Sequence, residues 1–129
     1  MWVRSAPASA ATVRHSLTFD MERAGLGRDL ADDAALLASE LVSNAIRHAA
    51  ALPSGHLVVD WDIDATGVRI QVADGGSDRQ PAVRQTNLDD TSGRGLAIVA
   101  ALADDWGVEP NAAGGTTVWA HVSRAKPTT

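Results

Sequence analysis

The stretch between Asp29 and Pro53 limits what this chain can fold into more than any other. Leu30, Ala34, Leu37, Leu41 and Ala45 recur there at steps of three and four, the spacing that lines side chains along one stripe of an α-helix. The pattern predicts a helix over residues 30–51, with Asp29 placed to cap its free amides and Pro53 barring its continuation. A helix of that length with a single apolar stripe needs a surface to cover it. The next segment offers one. Over residues 56–64, Leu57, Val59, Trp61 and Ile63 alternate with Val58, Asp60, Asp62 and Asp64, and after Ala65-Thr66-Gly67 the alternation resumes in Val68, Ile70 and Val72. A period of two is that of a half-buried strand, and the turn-sized break makes the two strands a hairpin.

The flanking segments extend the same reading. Val13, Leu17 and Met21 recur every fourth position, which predicts a helix over residues 9–24 with Ser9 as its cap and Gly25 and Gly27 as punctuation. Residues 1–8 read as a short strand or as an unanchored end. Residues 77–92 are polar, without a periodic pattern, and long for a connection inside a domain, so a functional loop, acting as a lid, is expected there. Gly93-Arg94-Gly95 should open a helix over residues 96–103, and strands should follow at 106–109 and 116–123. This order gives an α+β two-layer sandwich, a mostly antiparallel mixed sheet with helices on one face. A single domain over residues 1–129 is expected, with loose ends at about 1–8 and 124–129.

Composition excludes several function classes. With 129 residues, 45% of them hydrophobic, the chain can bury one core and has no room for two. A net charge of −5 without clustered basic residues argues against direct nucleic-acid binding, which needs lysine and arginine to neutralise phosphates. Lysine occurs only at Lys126, so no Walker-type phosphate loop can form. His15, His48, His56 and His121 never fall into a paired metal-ligand spacing. The absence of cysteine fits a reducing compartment, and no segment reads as a membrane span, so a cytoplasmic setting is expected.

The chemistry-bearing residues are individually ambiguous. Asn44 lies one helical turn beyond Glu40 on the flank of the apolar stripe. Asparagine is a poor helix-interior residue, because it competes for backbone hydrogen bonds, so something other than helicity keeps it there. Glu40 alone would read as a solvated helix residue, Asp74 before two glycines as a turn starter, and Gly93 with Gly95 as a tight turn. Their order says more. Glu40-Leu41-Val42-Ser43-Asn44-Ala45-Ile46-Arg47-His48-Ala49 resembles the asparagine box of the histidine-kinase-like ATPases. Val72-Ala73-Asp74-Gly75-Gly76 resembles their first glycine box, Gly93-Arg94-Gly95-Leu96 the second, and Gly115-Thr116-Thr117 the closing threonine motif. The likeness covers residues 17–122, and the wording of the asparagine box is similar to that of the anti-sigma-factor serine kinases.

That resemblance implies the histidine-kinase-like (Bergerat) fold, ATP and Mg²⁺ as cofactors, and a role for each matching residue. Asn44 would give a carbonyl oxygen to Mg²⁺, a hard ion that prefers oxygen, and Glu40 would accept the proton of an attacking serine hydroxyl. Asp74 would accept the adenine amino hydrogen, and Gly76 would let the backbone pass close to the base. Gly93, Gly95 and the helix opened at Leu96 would present amides to phosphate, and Arg94 would reach the terminal phosphate. Thr116 or Thr117 would bond the base region, with nothing to choose between them. Arg47 and His48 would lie near the nucleotide, although on the helical wheel His48 falls on the apolar stripe and reads equally as a core histidine. Asp78 stands where the family often has another glycine. The function implied is an ATP-binding anti-sigma factor and serine/threonine kinase that phosphorylates an anti-anti-sigma antagonist and sequesters a sigma factor. A nucleotide-dependent protein-binding switch without efficient phosphotransfer is the alternative. Related kinases dimerise, so a homodimer is among the implications.

Overall fold

The computed structural model describes residues 1–48, 51–52, 55–75, 91–112 and 114–123, with the side chains of 48 and 91–96 excepted. In chain order the elements are β1 (Trp2–Arg4), α1 (Ala8–Ala24), α2 (Arg28–His48), β2 (His56–Ile63), β3 (Gly67–Ala73), α3 (Thr91–Leu102), β4 (Asp105–Pro110) and β5 (Thr116–Ser123). The strands form one sheet in the order β1-β2-β3-β5-β4. Every pairing among the described residues is antiparallel, so the sheet is simpler than the mixed one expected. Of the two readings of the amino terminus, the strand is the one formed. Trp2 pairs with Val58, and the Met1 ammonium donates to the Val59 carbonyl at 2.8 Å.

Alternation decides which face is covered. Leu57 and Val59, then Val68, Ile70 and Val72, then Val118, Ala120 and Val122 are all buried, and between them stand half-buried or exposed residues such as Asp60, Arg69, Gln71 and Trp119. The apolar side is covered by α2, which packs on β3 and β5, with α1 and α3 against its flanks. Leu30, Ala34, Leu37, Leu41 and Ala45, the stripe read from the sequence, are all buried. Val13, Leu17 and Met21 of α1 join them with no exposed surface. Burying a side chain of this kind stabilises the fold by about 1.5–3 kcal/mol. An indole hydrogen bond supplements the packing of α1, Trp61 Nε1 donating to Asp20 Oδ2 at 2.8 Å.

The helix ends differ from expectation for definable reasons. α1 begins at Ala8 and not beyond Ser9, because Pro7 at the N-cap has helical φ and ψ of −54° and −34° and needs no amide acceptor. Ser9 is therefore no cap. It is buried, and its Oγ donates to the Arg4 carbonyl at 2.6 Å, fastening β1 to α1. Gly25 ends the helix with φ 73°, its N–H shared between the carbonyls of Met21 and Glu22. α2 begins at Arg28, so Asp29 sits inside the first turn, where its charge interacts favourably with the positive end of the helix dipole, and does not cap it. At the other end the helix is described to His48, and Ala51 and Leu52 are not helical, in keeping with the bias of a residue before proline away from the α region.

The third helix departs most from the reading. It begins at Thr91, so Gly93, Arg94 and Gly95 lie within it and do not precede it. Glycine inside a helix costs about 1 kcal/mol relative to alanine, which is why a Gly-x-Gly sequence reads as a break. Fully buried Val99, with half-buried Ile98 and Leu102, anchors the helix nonetheless. The proposed lid over residues 77–92 falls almost wholly outside the described residues, and only Thr91 and Ser92 are within them, as helix.

Candidate functional site

Apart from Ser9, the buried polar residues lie on α2 and where β3 and β5 adjoin. On α2, the stripe that packs on the sheet ends beside Asn44, which is 5% exposed. Its Oδ1 is buried and has no hydrogen-bond partner among the described residues. Leaving such an oxygen unsatisfied costs about 1–3 kcal/mol, so a ligand that supplies its partner would recover that energy. Glu40, one turn earlier, is half-buried, and Arg47 is exposed. The side chain of His48 lies outside the described residues.

On the sheet, the residue after β3 continues the inward alternation. Asp74 is fully buried, and its backbone amide donates to the Thr116 carbonyl at 2.9 Å. Thr116 returns the bond, its amide donating to Asp74 Oδ1 at 3.2 Å. Thr116 is itself buried, on the same side of the sheet as Val118 and Ala120. Thr117 is half-buried and pairs with Ala73 on the opposite side. The structure thus separates two threonines that the sequence left equivalent: only Thr116 shares a face with Asp74.

Asn111 completes this arrangement, and no sequence reading singled it out. Its Nδ2 donates to the Asp74 carbonyl at 3.0 Å, and its Oδ1 accepts from the Gly115 amide at 3.0 Å. Its own amide donates to the Gly115 carbonyl at 3.0 Å, and its carbonyl accepts from Gly114, whose φ is 81°. The signal was present: a short amide side chain three residues before a glycine pair is the kind that bonds its own turn. Its long-range bond to Asp74 is visible only in the fold.

The second glycine box is placed by its backbone alone. In a helix begun at Thr91, Gly93 belongs to the first turn, whose amides have no helical acceptor, whereas Gly95 lies a turn inside. The side chains of Arg94 and Leu96 lie outside the described residues, as does Gly76; Gly75 is half-buried. Asp78 is likewise outside them.

The chemistry of these groups is coherent. A buried neutral amide oxygen suits a hard divalent cation that takes its other ligands from water and phosphate. Among the described residues no group of three or more His, Cys, Asp or Glu side chains could hold a metal by itself. A buried carboxylate fixed through one oxygen by a backbone amide suits recognition of a ring amino group. Two surface grooves formed by described residues lie between α1 and α2: one of about 510 Å³ holds Phe19 and Leu36, and another Gly25, Gly27 and Arg28. No helix of the described residues is long and apolar enough to cross a membrane.

Comparison with known proteins bears on this geometry. No curated protein matches the chain at a significant level. The family model of the histidine kinase-like ATPase domain matches residues 3–122, a span that includes α2 with Asn44, Asp74 after β3, and Thr116 at the start of β5. That match spans nearly the whole chain, and the antiparallel sheet under a helical layer agrees with it: the chain belongs to the histidine kinase-like ATPase domain family, and that membership points to ATP binding.

Proposed function

We propose that the protein is an ATP-binding anti-sigma factor and protein-serine/threonine kinase of the cytoplasm, which phosphorylates an anti-anti-sigma antagonist and sequesters a sigma factor. The observation that carries the nucleotide part is the buried Oδ1 of Asn44, without a protein partner among the described residues, on a helix that packs over β3, which ends just before Asp74, and β5, which begins at Thr116. ATP·Mg²⁺, when bound, supplies the transferable phosphoryl group and screens its charge. Asn44 would hold the cation through its amide oxygen, Asp74 and Thr116 would hold the base, and the first turn of α3 at Gly93, with Arg94, would face the phosphates. Glu40 would take the proton from the serine hydroxyl as its oxygen bonds to the γ-phosphorus. The bridging P–O bond would break, its electron pair leaving with ADP. Support for the kinase assignment comes from the carboxylate of Glu40, half-buried one turn from Asn44, and from the wording of the asparagine box.

Two substitutions separate binding from chemistry. Asn44→Ala should weaken Mg²⁺-dependent ATP binding and phosphotransfer together. Glu40→Gln retains size and hydrogen-bonding capacity but accepts no proton, so ATP binding should survive while transfer to a serine-bearing antagonist falls about 10²–10⁴-fold. Titration calorimetry with and without Mg²⁺, beside a radiolabelled phosphotransfer assay, reads both. Wild-type transfer rates in Glu40→Gln would remove Glu40 as the base. ATP binding by a wild-type protein that phosphorylates no antagonist would favour a nucleotide-dependent switch.

A further inference from the structure

We propose that Asn111 is a positioning residue that sets the base preference of the nucleotide site by fixing the Asp74 carboxylate; this rests on the reading of Asp74 as the group that meets adenine. The argument starts from the chain of bonds around Asp74. A carboxylate discriminates between an amino group and a carbonyl on a purine only if its oxygen is held at a fixed place. Three bonds across the junction hold Asp74. Its amide bonds to the Thr116 carbonyl at 2.9 Å, its carbonyl accepts from Asn111 Nδ2 at 3.0 Å, and its Oδ1 accepts from the Thr116 amide at 3.2 Å. The last bond fixes the plane of the carboxylate, and hence the direction of Oδ2. It depends on the position of the Thr116 amide, and Asn111 controls that as well. Through Oδ1 it binds the Gly115 amide at 3.0 Å, and through its backbone it closes the Gly114-Gly115 turn that delivers β5 to Thr116.

One side chain therefore ties both ends of the Asp74–Thr116 junction, and its two arms are chemically distinct. The donor arm grips β3, and the acceptor arm grips the turn before β5. Asn111→Asp keeps the acceptor and deletes the donor; Asn111→Ala deletes both. Phosphate contacts made elsewhere would be common to adenine and guanine nucleotides, so loosening Asp74 should reduce selectivity as well as affinity.

The test measures ADP and GDP affinities by titration for the wild type, Asp74→Asn, Asn111→Asp and Asn111→Ala, with melting temperatures recorded without nucleotide. The expected result is an ADP affinity lower by roughly 5–50-fold in both Asn111 variants, the range that loss of one or two buried hydrogen bonds gives, with a reduced ADP-to-GDP ratio. Rescue should be partial in Asn111→Asp relative to Asn111→Ala. A purely structural Asn111 would lower the melting temperature and leave the ratio at the wild-type value, and that outcome overturns the proposal. If Asp74→Asn itself keeps wild-type affinity and ratio, the adenine reading fails first; if Asp74→Asn loses them and the Asn111 variants do not, only the positioning role falls. Should the variants not fold, nuclear magnetic resonance of the wild type decides. Saturating ADP should shift the Asn111 side-chain amide and slow exchange of the Thr116 amide, and an unmoved Asn111 signal overturns the inference.

Discussion

At Gly67 the hairpin and strand β5 approach so closely that a single methyl group would not fit. A Cβ there would meet the Val122 carbonyl oxygen and stand 2.8 Å from Ser123 Cα, both backbone atoms that cannot swing aside. Gly67→Ala should therefore destabilise the protein by about 1–3 kcal/mol, the usual cost of overpacking, whereas Gly25 has open space around it and is needed for its φ of 73° instead. Chemical denaturation of Gly67→Ala against wild type checks this, and equal midpoints would show that the strands can separate without cost. Gly107 illustrates the same economy with a softer neighbour. Its missing Cβ leaves room for the Trp119 indole, whose ring lies under the Arg69 guanidinium at 4.3 Å. The sequence marked Gly67 as a turn residue but could not show the approach of Val122, because that contact joins segments far apart in the chain.

At the scale of the element, the β2–β3 hairpin is closed by a side chain as well as by its backbone. Asp64 Oδ1 accepts from the Thr66 hydroxyl at 2.6 Å, the Thr66 amide at 2.8 Å and the Gly67 amide at 3.1 Å. The Thr66 hydroxyl bond, followed by the Thr66 amide, holds the Asp64 carboxyl below its ordinary pKa of 3.8. A group whose folded pKa is depressed stabilises the fold fully above its unfolded pKa and loses that contribution as pH falls through the folded value. The hairpin turn should thus stay closed at neutral and mildly acidic pH and loosen only as pH falls below 3.8. Exchange of the Thr66 and Gly67 amides should rise in that window relative to a neighbouring turn, and Asp64→Asn should abolish the step. An identical acid profile in Asp64→Asn would rule Asp64 out as its source. This hairpin was legible, to within a residue at the turn, from alternation and a turn-sized break, because its bonds are local. α3 was legible only in its second half: two glycines in its first turns lower local helix propensity, and Val99 beneath α2 overrides them.

For the whole molecule, family membership makes stability a function of nucleotide. A ligand that binds only the folded state stabilises it by RT ln(1 + [L]/Kd), about 2.7 kcal/mol at one hundred times Kd. ATP at that excess should raise the melting temperature by several degrees, and adding Mg²⁺ should raise it further in the wild type but not in Asn44→Ala. No shift with ATP at any concentration would count against the nucleotide site as a whole. The sequence by itself determined the helices α1 and α2, the hairpin, the last two strands and the residues α2 buries, because helix and strand periods are fixed by local backbone geometry. Tertiary structure alone decided that β5 inserts between β3 and β4, that Thr116 rather than Thr117 joins Asp74 beneath the helices, and that Asn111 clamps the junction. The first rests on the ladders of β5 with both neighbours and the other two on hydrogen bonds between residues 37 and 42 positions apart, pairings whose partners no local period can name.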